Sequence, residues 1–135
     1  MLPSYKKDFI SLAILDGVLG FGEFTLKSGR VSPYFFNLGN VSSGKTISSV
    51  GSYYAETIAR TSFKPDALFG PAYKGIPLVV TTAIALSDNH EINLSYAFNR
   101  KEEKDHGEGG KIIGKKIKGD VIIVDDVISS GASIR

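Results

Sequence analysis

Two adjacent carboxylates, Asp125 and Asp126, follow an unbroken β-branched run, Val121-Ile122-Ile123-Val124, and precede Val127, Ile128 and the small-residue stretch Ser129-Ser130-Gly131-Ala132-Ser133. The apolar run reads as a strand of a parallel sheet, buried on both faces. In open α/β sheets ligands bind beyond the carboxyl ends of the strands, which is where these acids fall. Neighbouring residues of an extended chain point in opposite directions, so each acid can accept from a different sugar hydroxyl. A glycine-containing turn can aim successive backbone N–H groups at a phosphate, and Ser129, Ser130 and Ser133 add hydroxyl donors. The chemistry implied is a grip on a ribose that carries a phosphate. Equally open at this point is a plain buried strand with an Asp-rich turn and a serine helix cap. The stretch is neither a Walker A loop, since the Gly-Lys-Ser/Thr ending is missing, nor a GxGxxG fingerprint.

A second candidate is Gly70-Pro71-Ala72-Tyr73-Lys74-Gly75-Ile76-Pro77, which sets one aromatic and one cation between glycines and prolines at the end of the short buried strand Ala67-Leu68-Phe69-Gly70. Presenting N–H groups there needs a tight bend, and a strained or cis peptide is expected near Ala72-Tyr73. The plain alternative is an ordinary strand-to-helix connection with a solvated lysine. A third candidate is the polar stretch 99–110, NRKEEKDHGEGG, with Arg100, Lys101, Lys104 and His106. Arg100, Lys101 and Lys104, with Lys111 just beyond the stretch, are balanced by Glu102, Glu103, Asp105 and Glu108, so this is no nucleic-acid arm. With Gly107, Gly109 and Gly110 it reads as a solvated loop, mobile in the free protein.

The elements that must position these groups alternate between strand and helix. Tyr5, Phe9, Leu12, Ala13 and Ile14 recur at helical spacing and stop at Gly17. This helix is expected to lie over another element as a hood. Residues 21–37, FGEFTLKSGRVSPYFFN, read as two strands around a Lys27-Ser28-Gly29-Arg30 turn, with Pro33 marking an edge. Tyr34, Phe35 and Phe36 cannot all share one side of a strand, so at least one faces a cavity or the core. Residues 40–46 read as a polar loop and 47–62 as a helix. Pro77 suits the first turn of a helix that runs to about Asn89. Ser95-Tyr96-Ala97-Phe98 is a strand, and 112–119 reads as a short hairpin leading into the Asp-Asp strand. The order implies a twisted parallel sheet with right-handed crossovers, flanked by helices, in an α/β fold. The division expected is a hood over 1–40 and an incomplete α/β core over 41–135, together one domain.

Composition narrows the function. The hydrophobic share is 42% and the charged share 22%, as in globular proteins, and a net charge of +2 is too small for a dedicated nucleic-acid binder. No cysteine is present, which removes disulfide, thiolate and cysteine–zinc chemistry, and His90 and His106 are too few for a histidine metal cluster. No apolar run reaches membrane-spanning length. Lys6-Lys7 precede an apolar run, but Asp8 and Asp16 bracket it, which argues against a signal peptide.

The segment VIIVDDVISSGAS resembles the phosphoribosyl-diphosphate (PRPP) motif of type I phosphoribosyltransferases, and with FGEFTLKSGR, SPYFFN, GPAYKGIP and RKEEKDHGEGG the chain resembles bacterial orotate phosphoribosyltransferases along nearly its whole length. The resemblance implies the type I phosphoribosyltransferase fold and transfer of ribose 5-phosphate from PRPP to orotate, in pyrimidine biosynthesis. It implies that Asp125 and Asp126 hold the ribose diol while Val127, Ile128, Ser129, Ser130, Gly131, Ala132 and Ser133 hold the 5-phosphate. Tyr73 and Lys74 would hold the diphosphate, and Lys27 would meet the sugar-phosphate substrate. Phe35, Phe36 and Ser129 would receive orotate. Arg100, Lys101, Lys104 and His106 would form a catalytic lid that reaches the neighbouring subunit's site in a homodimer. Mg²⁺, held mainly by substrate and water, is the implied cofactor and the cytoplasm the implied location; no nucleic-acid or membrane partner is implied.

All these parts are expected around one pocket. The family pattern continues past residue 135 with a helix behind the phosphate loop, further strands and another orotate-binding arginine. A shortened form of a complete enzyme is therefore expected, with an open edge on the Asp-Asp strand. The rival readings are a PRPP- or nucleotide-sensing regulator on the same fold, an inactive fragment, or a purine phosphoribosyltransferase. The lid cations argue against the first of these and the FGEFTLKSGR and SPYFFN segments against the last.

Overall fold

The computed structural model describes residues 1–102 and 111–128. Helix α1 (Ser4–Leu15) ends at Asp16, and Gly17 turns the chain with φ +71°. Such a left-handed turn costs glycine nothing. Strands β1 (Leu19–Thr25) and β2 (Val31–Phe36) form an antiparallel ribbon of their own, with an irregularity between Phe21 and Phe24. A 3₁₀ turn (Leu38–Asn40) leads to α2 (Gly44–Ala59). Then follow β3 (Ala67–Gly70), α3 (Gly75–His90), β4 (Ser95–Asn99), β5 (Ile112–Gly114) and β6 (Val121–Ile123).

The second sheet has the order β5-β4-β3-β6, in which β4, β3 and β6 run parallel and β5 antiparallel. The expected hairpin over 112–119 is therefore corrected. Its first half, β5, pairs back onto β4 across the polar stretch, with Asn99 opposite Ile112 and Ala97 opposite Gly114. Gly114 makes this possible, since at φ +100° it lies against the Tyr96 carbonyl where a side chain would collide. The expected burial of the Asp-Asp strand on both faces is also corrected. Among the described residues β6 is the sheet's edge, and Ile123 is 45% exposed. An apolar run reveals affinity for a sheet without saying how many neighbours it finds.

The core joins Leu68, Val50, Ala55, Leu78, Val79, Leu86 and Val124, all buried. Helices α2 and α3 lie close because Gly51 has no side chain: a Cβ there would overlap Thr81. Helix α2 begins three residues before the expected start at 47, because Ser43 accepts from the Thr46 N–H (3.1 Å) and so caps a polar first turn. Helix α1 covers α2 through Phe9, whose ring meets Tyr53, Tyr54 and, from the ribbon, Phe36 at centroid distances of 6.0–6.3 Å. The hood thus rests on the core through this aromatic cluster and through Ala13, Val18 and Leu38, which are buried in the same core, and β3, β4 and β6 all end on the same side of the sheet.

Candidate active site

Lys74 stands at the meeting point of three segments. Its Nζ lies 3.2 Å from Asn37 Oδ1, at the end of the ribbon, and 3.9 Å from Asp126 Oδ2, at the end of β6. The first is a hydrogen bond; the second is a charge pair just out of hydrogen-bonding range. Lys74 itself belongs to the loop that leaves β3, where the Ala72–Tyr73 peptide is cis, as the sequence leads one to expect. That loop is tied down on both flanks. The buried Ala72 N–H donates to Asn99 Oδ1 at 2.6 Å, and the Gly75 N–H donates to the Pro71 carbonyl at 2.9 Å. A Cβ on Gly75 would come within 3.0 Å of the Val124 carbonyl oxygen, so the loop leans directly on the residue before the acid pair.

The acids are bent into a turn by their own neighbours. Asp125 Oδ1 accepts from the Asp126 N–H (2.9 Å) and Asp126 Oδ1 from the Val127 N–H (2.8 Å). Tyr54, on α2, donates its hydroxyl to the Asp125 carbonyl at 3.2 Å. Burial pushes the Asp125 carboxyl up, and the Asp126 charge adds to this against the Asp126 N–H and Lys74. Burial, then the charges of Asp126 and Asp125, push the Tyr54 phenol up to about 12. Tyr54 is therefore a donor, not a base, at neutral pH.

Among the described residues two clefts flank Lys74, where a single pocket is expected. Asp125, Asp126, Val127 and Ile128 line one of about 350 Å³. Tyr73 and Lys74 line the other, of about 430 Å³, with Gly39, Ser42, Ser43 and Pro77. Lys74 is the bridge, because its side chain borders the second cleft while its charge faces the first.

Of the other expected residues, Lys101 lies over the Tyr73 ring with Nζ 5.7 Å from its centroid. Arg100 follows β4, its N–H donating to the Lys111 carbonyl (2.8 Å), and its Nε is buried with no partner among the described residues. Phe36 turns towards Phe9 and the core, while Phe35 packs edge-on against Phe24 at 4.8 Å. Lys27 sits in the exposed ribbon turn and lines neither cleft. Lys104, His106, Ser129, Ser130, Gly131, Ala132 and Ser133 lie outside the described residues.

Three residues to which the sequence reading gave no role in the site, Asn37, Asn99 and Tyr54, take part. Asn37 and Asn99 each end a strand, and an amide at a strand's carboxyl end is a usable signal. Tyr54 gave none, because a tyrosine inside a helix has ordinary uses.

Residues 40–135 match the model of the phosphoribosyl transferase domain. The chain is 58% identical, over 99% of its length, to an orotate phosphoribosyltransferase of Chromohalobacter salexigens and 53% identical to one of Photorhabdus laumondii, and it spans 57% and 63% of those relatives' lengths. It thus covers about three-fifths of each. A crystal structure of orotate phosphoribosyltransferase from Francisella tularensis superposes with a TM-score of 0.82 at 44% identity, over 94% of this chain and 60% of that one.

Proposed function

Because the chain belongs to the phosphoribosyl transferase domain family, we propose that it serves transfer of the ribose 5-phosphate group of PRPP to orotate, giving orotidine 5-monophosphate and diphosphate in pyrimidine biosynthesis. The observation that carries this reading is Lys74 between Asn37 and Asp126, a cation set between a sugar-type acid pair and a neutral acceptor on the hood. The likeness to orotate phosphoribosyltransferases supports orotate as the base.

In this reaction the bond from the ribose C1 to diphosphate breaks with its electron pair leaving on oxygen. A bond from an orotate ring nitrogen to C1 forms, and that nitrogen's proton is released. Positive charge builds on the ribose ring and negative charge on the leaving group. Asp125 and Asp126 accept from the ribose hydroxyls and favour the ring's charge; Lys74, Lys101 and Arg100 favour the diphosphate. Lys104 and His106 belong to the same lid in this reading, and the stretch 129–133, with Val127 and Ile128, holds the 5-phosphate. A closed lid excludes water, whose attack on C1 is the competing reaction. Phe35 and Phe36 supply main-chain contacts to orotate, with Ser129, and Lys27 reaches the sugar phosphate on closure.

The acid pair offers the hard oxygen donors that Mg²⁺ takes, and among the described residues no cluster of three or more His, Cys, Asp or Glu forms a dedicated cage. In this reading Mg²⁺ would be held mainly by substrate and water, with the acid pair as the nearest protein oxygens, and would offset charge on the diphosphate. A homodimer that shares its lid and a cytoplasmic location belong to the same reading. Among the described residues no helix is long and apolar enough to cross a membrane.

The test mixes orotate, PRPP and Mg²⁺ with the chain and follows orotate's ultraviolet absorbance, with adenine, guanine and uracil as controls. Loss of orotate absorbance that requires PRPP supports the reading. Consumption of a purine instead, or of no base while PRPP still binds, overturns it.

A further inference from the structure

We propose that Asn37 is the positioning residue for Lys74: its side-chain carbonyl parks the ammonium between the ribbon and the acid pair, and so keeps Asp126 open for a ribose hydroxyl. The inference rests on the PRPP reading above and deepens it.

The backbone of Asn37 is fixed, since its N–H donates to the Val18 carbonyl at 2.7 Å. Its Oδ1 accepts twice, from the Gly39 N–H at 3.0 Å and from Lys74 Nζ at 3.2 Å. An amide oxygen has two lone pairs, so both donors are satisfied. The first bond caps the 3₁₀ turn, a structural duty. The second does nothing for the turn. Lys74 carries a compact charge on a flexible four-carbon stem, and bonds to a carboxylate are stronger than bonds to a neutral amide. Nothing in the lysine itself would keep it from Asp126. Yet its Nζ lies 3.9 Å from Asp126 Oδ2, while Asp126 Oδ1 is already used by the Val127 N–H. Oδ2, which accepts no hydrogen bond among the described residues, is the freer acceptor for a hydroxyl. Without Asn37 the ammonium can close onto Oδ2, competing with the diol for that oxygen and leaving the diphosphate cleft.

The two duties of Asn37 separate by substitution. Serine and aspartate both cap well, so Asn37→Ser and Asn37→Asp keep the Gly39 bond. The serine hydroxyl is too short to reach Lys74 as well. Aspartate holds Lys74 as an ion pair and adds negative charge beside the diphosphate cleft. PRPP affinity by calorimetry and urea midpoints would be measured for wild type, Asn37→Ser, Asn37→Asp, Lys74→Ala and Asn37→Ser/Lys74→Ala. The expected midpoints of Asn37→Ser and Asn37→Asp match wild type, while Asn37→Ser binds PRPP roughly threefold to tenfold more weakly. Asn37→Asp loses at least as much, and more at low salt, where repulsion is less screened. In the Lys74→Ala background Asn37→Ser adds no further loss. Wild-type affinity in both Asn37 variants, affinities that merely follow the midpoints, or an undiminished Asn37→Ser effect without Lys74 each overturn the inference alone. A wild-type chain that binds no PRPP overturns the proposed function and this inference with it.

Discussion

Alanine at Gly75 should loosen the junction between the Lys74 loop and the acid pair, whereas alanine at Gly44 should tighten the fold. Each glycine is the first residue of a helix, α3 or α2, and neither has a left-handed φ, so the backbone accepts a side chain at both. At Gly44 an added Cβ meets nothing within 4 Å. The substitution there gains what alanine gains over glycine through a less flexible unfolded chain, at most about 1 kcal/mol. At Gly75 the same Cβ stands 2.8 Å from Pro71 Cδ, 3.0 Å from the Gly70 carbonyl carbon and 3.0 Å from the Val124 carbonyl oxygen. These are ring and main-chain atoms, two at the Gly70–Pro71 bond and one at Val124, with no flexible side-chain end among them to give way. Overpacking of this kind costs about 1–3 kcal/mol, which exceeds the same small propensity gain. The net loss is about 1–2 kcal/mol, or a fall of roughly 3–8 °C in Tm for a chain of this size.

Urea unfolding of wild type and both variants reads the effect as a midpoint shift at constant m. Val124 immediately precedes Asp125, so Gly75→Ala should also weaken PRPP binding measured by calorimetry. A Gly75→Ala midpoint at or above wild type refutes the reasoning. So do midpoints of the two variants that move in the same direction, since then the contacts at Gly75 decide nothing.

Three further outcomes follow from the same geometry. The raised Asp125 pKa, caused first by burial, means that the native state holds this proton more tightly than the unfolded chain. The associated stability is present below the ordinary carboxylate range and lost as pH rises through the raised value. Asp125→Asn, neutral and still able to accept the Asp126 N–H, should therefore leave the urea midpoint at pH 7 unchanged or higher while PRPP binding collapses; a lower midpoint with binding intact contradicts this. Tyr54 is raised from 10.0 to about 12, so the stability linked to its neutral form is present below pH 10 and disappears between there and about 12. Phenolate absorbance should show one late tyrosine that Tyr54→Phe removes; six tyrosines ionising together would count against it. Asn99→Ala orphans the buried Ala72 N–H and should cost about 1–3 kcal/mol in urea unfolding, with Asn99→Asp retaining most of the stability. An Asn99→Ala midpoint equal to wild type would show that another acceptor replaces the amide.

The parts of the fold legible in the sequence are those fixed by local periodicity. Ala67-Leu68-Phe69-Gly70 is bounded by Asp66 and Pro71, and its strand appears with those bounds. Helix α3 takes Pro77 in its first turn, where the missing N–H costs nothing. What failed depends on neighbours. Helix α2 starts at Gly44 because a serine hydroxyl reaches Thr46, a contact no apolar spacing encodes. β5 pairs across the polar stretch with β4, and a three-residue strand has too little pattern to name its partner.

The site divides along the same line. The acid pair and the Tyr73–Lys74 loop were legible because each sits where a strand ends, and strands that run parallel deliver their ends to one side. Convergence of Lys74 and Asp126 needs only that β3 and β6 be adjacent, which their pairing provides. The expectation for Lys27 needs more. It asks a two-stranded ribbon, joined to the core through the Phe9–Phe36 contact and the Asn37 end, to present its far turn to the same place. A strand rises about 3.3 Å per residue, so the turn lies a ribbon's length from Asn37. Sequence order makes Lys27 part of the motif, but it does not say where the ribbon's turn lies relative to the strand ends. Asn37, at the fixed end, reaches Lys74. In the structure, therefore, the hood's contribution to the Lys74 junction comes through the amide, while Lys27 lines neither cleft.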